Sequence, residues 1–109
     1  MSKGDYLGEF EQLVLLALLR LGEGAYGMAV RREIAEGAGR DVAIGAVYAT
    51  LDRLEAKGLV VSSEAAGAVE RGGRARRFFS VTGDGMRALR RSQEALARMW
   101  DGLPLGAKT

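Results

Sequence analysis

The chain contains no cysteine and no histidine. Without cysteine there is no disulfide and no thiolate metal site, which fits a reducing cytoplasm. Without histidine the commonest general base and the commonest metal ligand are both missing. An enzyme would have to work with carboxylates, Ser, Thr, Tyr and Lys. No glycine-rich phosphate loop follows a strand, and no nucleophile elbow is present. The acids read as helix-surface charges. The expectation is a non-enzyme with no cofactor and no metal.

Long hydrophobic runs are absent too. The first residues, MSKGDYLGEFEQ, lack the apolar core of a signal peptide. The longest apolar run, Leu13 to Leu19, is far too short to cross a bilayer. A cytoplasmic protein with no membrane partner is expected. Internal repeats and low-complexity segments are also missing.

A strong net charge is lacking as well. Sixteen basic and fourteen acidic side chains leave +2, which does not by itself announce a nucleic-acid partner. The distribution is more telling. Residues 1–41 carry five basic and seven acidic groups, whereas residues 59–82 carry four and two. Four arginines, Arg71, Arg74, Arg76 and Arg77, fall in one short stretch.

What is present is an apolar fraction of 48% in 109 residues, enough for one small core. A core this small gains from self-association. Residues 8–21 read as a helix, with Phe10, Leu13, Val14, Ala17, Leu18 and Leu21 at spacings of three and four. Leu15, Leu16 and Leu19 widen the apolar face, which predicts burial on more than one side. Gly22 and Gly24 end the helix.

A second helix is predicted over Tyr26 to Glu36 on Val30 and Ile34, stopped by Gly37 and Gly39. The third spans 43–57, with Val47, Leu51 and Leu54 as its stripe and Ile44 and Tyr48 beside them. Gly58 closes it. Residues 59–63 read as a strand, 66–73 as a glycine-rich hairpin tip, and 76–81, RRFFSV, as the returning strand. Thr82 is a suitable N-cap for a last helix of about 83–101, and Asp84 suits its first turn. Pro104 and Gly106 mark a frayed tail over 104–109.

The order is helix, helix, helix, strand, strand, helix. This predicts a mainly α chain with one small β hairpin: a winged helix-turn-helix unit over 1–82 and a C-terminal dimerisation helix over 83–103. Met86, Leu89, Gln93, Leu96, Trp100 and Leu103 are spaced three, four, three, four, three, a heptad seam with one polar position. Since the preceding elements already form a compact unit, this stripe predicts a partner subunit. Arg90–Glu94 and Glu94–Arg98 are i,i+4 pairs expected on its outer side.

The residues also resemble a known family. Leu7-Gly8-Glu9-Phe10-Glu11 running into LVLLALL, Ala25-Tyr26-Gly27, and the Y-x-x-L-x-R-L-E-x-x-G-L core from Tyr48 to Leu59 are similar to PadR-type transcriptional regulators. Gly73-Arg74-Ala75-Arg76-Arg77-Phe78-Phe79 and Val81-Thr82-Gly83-Asp84-Gly85 extend the likeness, which covers roughly residues 7–90. The short form of that family has a single C-terminal helix. The resemblance implies a homodimer that binds double-stranded DNA through its third helix and wing, usually a repressor released by a small molecule. The family often has a polar residue where Ala43 stands, threonine or serine at Ala46, and proline at Ala49.

On this reading the recognition helix offers Ile44, Gly45, Ala46, Tyr48, Ala49, Thr50 and Arg53 to the major groove. Ala and Thr methyls suit thymine methyls, and Tyr48 or Thr50 suits a phosphate. The alternative is that Tyr48 packs in the core and Arg53 pairs with neighbouring acids. Arg71, Arg74, Arg76 and Arg77 of the wing suit phosphates or a narrow minor groove, or simply blunt an exposed strand edge. Two-fold symmetry implies a pseudo-palindromic operator. Trp100 with Leu96 forms a candidate pocket for a small planar hydrophobic effector, with ordinary interface packing as the other reading. Two further functions stay open: a winged-helix protein-interaction module, and a ligand sensor without specific DNA binding.

Overall fold

The computed structural model describes residues 6–69 and 75–104, with the backbone alone for 65–69 and for 75. The element order is α1 (Glu9–Leu21), α2 (Gly27–Ala38), α3 (Ile44–Ala56), β1 (Val60–Val69), β2 (Ala75–Val81) and α4 (Gly83–Trp100). The two strands pair antiparallel, with Val60 opposite Val81 and Glu64 opposite Arg77. The expected mainly α architecture with one hairpin is what forms.

The core follows from helical spacing. Val14, Leu15 and Leu18 of α1, Val30 and Ile34 of α2, and Val47, Leu51 and Leu54 of α3 are all buried in one cluster. Residues three and four apart share a helix face, so each helix contributes one stripe. Val60 and Phe79 close the cluster from the hairpin, and Ala88 and Leu89 from α4. The Phe79 amide also donates to the Ala25 carbonyl at 2.8 Å, tying β2 to the segment before α2.

Two junctions fix the helices. In the first, Glu11 is buried at 7% exposure. Its Oε1 accepts from the Gly8 amide at 2.9 Å, satisfying an open donor at the start of α1. Its Oε2 accepts from Lys57 Nζ at 2.9 Å and Arg53 Nε at 3.4 Å, so α1 is bound to the end of α3. Burial pushes this carboxyl up. The Lys57 ammonium, the Gly8 amide and the Arg53 guanidinium outweigh it and hold the group below its usual range.

The second junction starts α4. Thr82 caps the helix by accepting from the Gly85 amide at 3.0 Å, and its hydroxyl donates to the Gly58 carbonyl at 2.8 Å. Its amide donates to the Leu59 carbonyl at 3.0 Å. Gly85 must be glycine here, because a Cβ would stand 2.3 Å from that same Leu59 oxygen. The end of α3 and the start of α4 are therefore locked through one short segment.

Three sequence expectations change. The first strand runs on to Val69, so residues 66–69 of the expected tip are strand. The pairing register shifts between Glu64 and Val69, where β1 has more residues than β2 between one pair and the next. Helix α4 ends at Trp100, so Leu103 lies beyond the helix rather than on its seam. Finally, α1 is not covered all round: Leu15 is buried, but Leu16 and Leu19 are exposed.

Candidate nucleic-acid interface

Helices α2 and α3 are joined by residues 39–43, and the turn is braced by side chains from both sides. Arg31 of α2 donates through Nε to the Val42 carbonyl at 2.7 Å and lies 3.6 Å from Asp41. Arg40 of the turn donates to Glu9 of α1 at 3.0 Å. Fixing this turn fixes the angle between α2 and α3, and with it the face that α3 turns outward.

That outward face is poor in side chains. Gly45, Ala46, Ala49, Asp52, Arg53 and Ala56 are exposed, and a Cβ at Gly45 would meet open space. The other predicted contacts turn elsewhere. Ile44 packs partly against the core. Thr50 is buried at 2% exposure, and its hydroxyl accepts from Arg53 Nη2 at 3.2 Å. It belongs to the inner stripe with Val47, Leu51 and Leu54.

Tyr48 is half-buried and runs toward the start of α2. A Cβ on Gly27 would lie 2.3 Å from its Cζ, so the glycine makes room for the ring. The Tyr26-Gly27 pair thus has a structural reason. Arg53 stays exposed on one side; it is held by Glu11 across the domain and by Thr50 on its own helix, and its acidic partner comes from α1.

The hairpin arginines divide. Arg71 and Arg74 lie outside the described residues. Arg76 stacks over the Tyr26 ring, 4.1 Å from its centroid, and Tyr26 meets Phe78 edge-on at 6.2 Å. Arg77 on the other face of β2 is ion-paired: Nη2 lies 3.0 Å from Glu55 and Nη1 3.6 Å from Asp52. Its guanidinium also covers Phe79 at 4.9 Å. The Arg76 and Arg77 side chains therefore fasten the base of the hairpin to α2 and α3.

On the far side, α1 and α4 bound an open groove of about 480 Å³. Gln12, Leu16 and Leu19 line it from α1, and Met86, Leu89, Gln93, Leu96 and Trp100 from α4. Five of the six seam residues thus share one face. Leu89 is buried and Met86 half-buried, whereas Leu16, Leu19, Leu96 and Trp100 remain 43–54% exposed. Leu16 and Leu19, which widen the apolar face of α1, lie in this groove. Arg90 borders the groove, whereas its expected partner Glu94 does not line it.

An antiparallel hairpin packed behind a braced helix-turn-helix, with the second helix of the pair turned outward, is the arrangement of a winged-helix DNA-binding domain. Residues 15–91 match the family model described as the transcriptional regulator PadR-like family. The chain belongs to that family.

Solved structures agree. This PadR-like regulator is similar to a PadR family transcriptional regulator from Eggerthella lenta, at 29% identity over 93% of this chain and 88% of that one, with a TM-score of 0.67. It is similar to RosR of H. salinarum at 30% identity, covering 88% and 79%, with a TM-score of 0.66. A PadR family transcription regulator from Clostridium difficile, at 22% identity over 84% and 91%, shares the fold with a TM-score of 0.69. No protein of curated function matches the chain.

The PadR-like chain is thus a DNA-binding transcriptional regulator and not an enzyme. Among the described residues, no group of three or more acidic, His or Cys side chains is placed to hold a metal, and no helix is long and apolar enough to cross a membrane.

Proposed function

We propose that the chain acts as a cytoplasmic homodimeric repressor that binds a pseudo-palindromic operator and is released by a small hydrophobic effector. The observation that carries this reading is the apolar groove between α1 and α4. Four large apolar side chains, Leu16, Leu19, Leu96 and Trp100, stand exposed along one continuous surface. Contiguous exposed apolar surface of this kind marks an association site, and a second copy supplies the same surface by two-fold symmetry.

In this dimer each protomer presents the Gly45–Ala46–Ala49 face of α3 to a major groove. The hairpin reaches the flanking backbone, with Arg71 and Arg74 as its phosphate contacts. Half-sites lie about one helical turn, or a multiple of it, apart. Trp100 and Leu96 of two copies form the walls of a slot suited to a planar hydrophobic molecule.

The full chain is mixed with fragments of its source genome at low and high salt while its mass is followed by light scattering. The expected outcome is a dimer that retains a small set of fragments and loses affinity steeply as salt rises. A monomer at working concentration, or retention of no fragment, overturns the reading. Trp100 is the only tryptophan, so its quenching by planar hydrophobic compounds, together with fragment release, tests the effector.

A further inference from the structure

The outward face of α3 carries a second consequence, which rests on the DNA-binding reading above. Recognition helices read base edges with residues of their N-terminal part. Hydrogen-bonded reading needs side-chain donors or acceptors there. The first two turns of α3 expose Gly45, Ala46 and Ala49, none of which has one. Tyr48 is turned against Gly27, and the Thr50 hydroxyl is buried against Arg53. The nearest polar side chains, Asp52 and Arg53, are engaged by Arg77 and Glu11. Arg53 also stands about 10 Å further along the helix axis than Ala46.

What the face does offer is a bare backbone at Gly45 and two methyl groups. In the major groove only thymine presents a methyl, and alanine is a suitable contact for it. We propose that α3 reads its operator through thymine C5-methyl groups packed on Ala46 and Ala49, without side-chain hydrogen bonds to the bases. The operator half-site then carries thymines at the positions facing these two alanines. The absence of bulk at Gly45 lets the helix seat deeply enough for methyl-to-methyl contact.

The test uses the full chain and duplexes recovered by repeated selection from a random-sequence pool. Binding is followed by fluorescence anisotropy at fixed salt. Replacing one thymine at a time with deoxyuracil removes a methyl and no hydrogen-bonding group. At the positions facing α3 the expected loss is about three- to fivefold per methyl. Replacing the same T·A pair with 5-methylcytosine·G keeps the methyl and changes the hydrogen-bonding pattern. That duplex should bind within about twofold of the original, while unmethylated C·G should fall to the uracil level.

In Ala46→Gly or Ala49→Gly the matching uracil loss should vanish, because the methyl that felt it is gone. A flat uracil scan overturns the inference and leaves DNA binding intact. So does 5-methylcytosine binding no better than cytosine, or a uracil loss that persists in both glycine variants. Recovery of no duplex overturns the DNA-binding reading and the inference with it.

Discussion

The outward face of the first turns of α3 and the apolar groove face of α4 differ in kind. The first two turns of α3 expose Gly45, Ala46 and Ala49, side chains of one methyl or none. Helix α4 exposes Leu96, Met99 and Trp100. A small-residue face costs little to leave in water and admits close approach of a rigid polar surface. A large apolar face is costly to leave in water, at roughly 25 cal/mol per Å², so it calls for a protein partner. The two helices meet where Thr82 and Gly85, at the start of α4, contact Gly58 and Leu59 just past the end of α3.

The largest effect should come from α4. Leu96→Asp with Trp100→Asp places two charges on the groove face without touching the core of the domain. A monomer is expected by light scattering, with the circular dichroism of the folded chain retained. DNA affinity should fall by about a hundredfold or more, because linked half-site binding is lost. A variant that stays dimeric would move the interface elsewhere and leave the α4 face unexplained.

The link comes next. Gly85→Ala sets a Cβ against the Leu59 carbonyl, a backbone group that cannot swing aside. A loss of about 2–4 kcal/mol is expected in urea unfolding. If the variant is as stable as the parent, the junction is softer than its contacts imply.

Glu11 anchors α3 from the other end. Glu11→Gln removes the charge that Lys57 and Arg53 face, and should cost about 1–3 kcal/mol at neutral pH. The sign of the pH effect follows from the lowered carboxyl. In the parent, the contribution is fully present above the usual carboxylate value of 4.5 and is lost as pH falls through the lower folded value. The gap between parent and variant should therefore narrow on acidification below that value, as read by urea unfolding at stepped pH. A gap that widens in acid would show that Glu11 is stabilising in its protonated form.

The contrast between the two faces was only partly legible in the sequence. The stripes Val47, Leu51, Leu54 and Val14, Leu18 placed the helices, because burial on one side imposes the period. Thr50 lies on that same inner stripe, but a hydroxyl next to a candidate recognition surface reads equally as a contact. The hairpin was set too short because Gly67 and its small neighbours look like a turn, whereas the backbone ladder carries on to Val69. Glu11 gave no local sign of burial, since its partner Lys57 is 46 residues away. The ion pairs of Arg77 were hidden for the same reason. Counting charge along the chain cannot see that Asp52 and Glu55 of α3 face Arg77.

That last point yields the smallest expected effect. Arg77 has its charge largely met by Glu55 and Asp52, and it shields Phe79. Arg77→Ala should cost about 0.5–1 kcal/mol of stability. It should change the salt dependence of DNA binding by less than one counterion. Arg71→Ala and Arg74→Ala should instead each lower the slope by about one and leave stability unchanged. Anisotropy titrations across a salt series read the slope, and urea unfolding reads the stability. Should Arg77→Ala lower the slope as much as the other two, the ion pairs with α3 open on binding DNA. The base of the hairpin would then belong to the interface rather than to the fold that supports it.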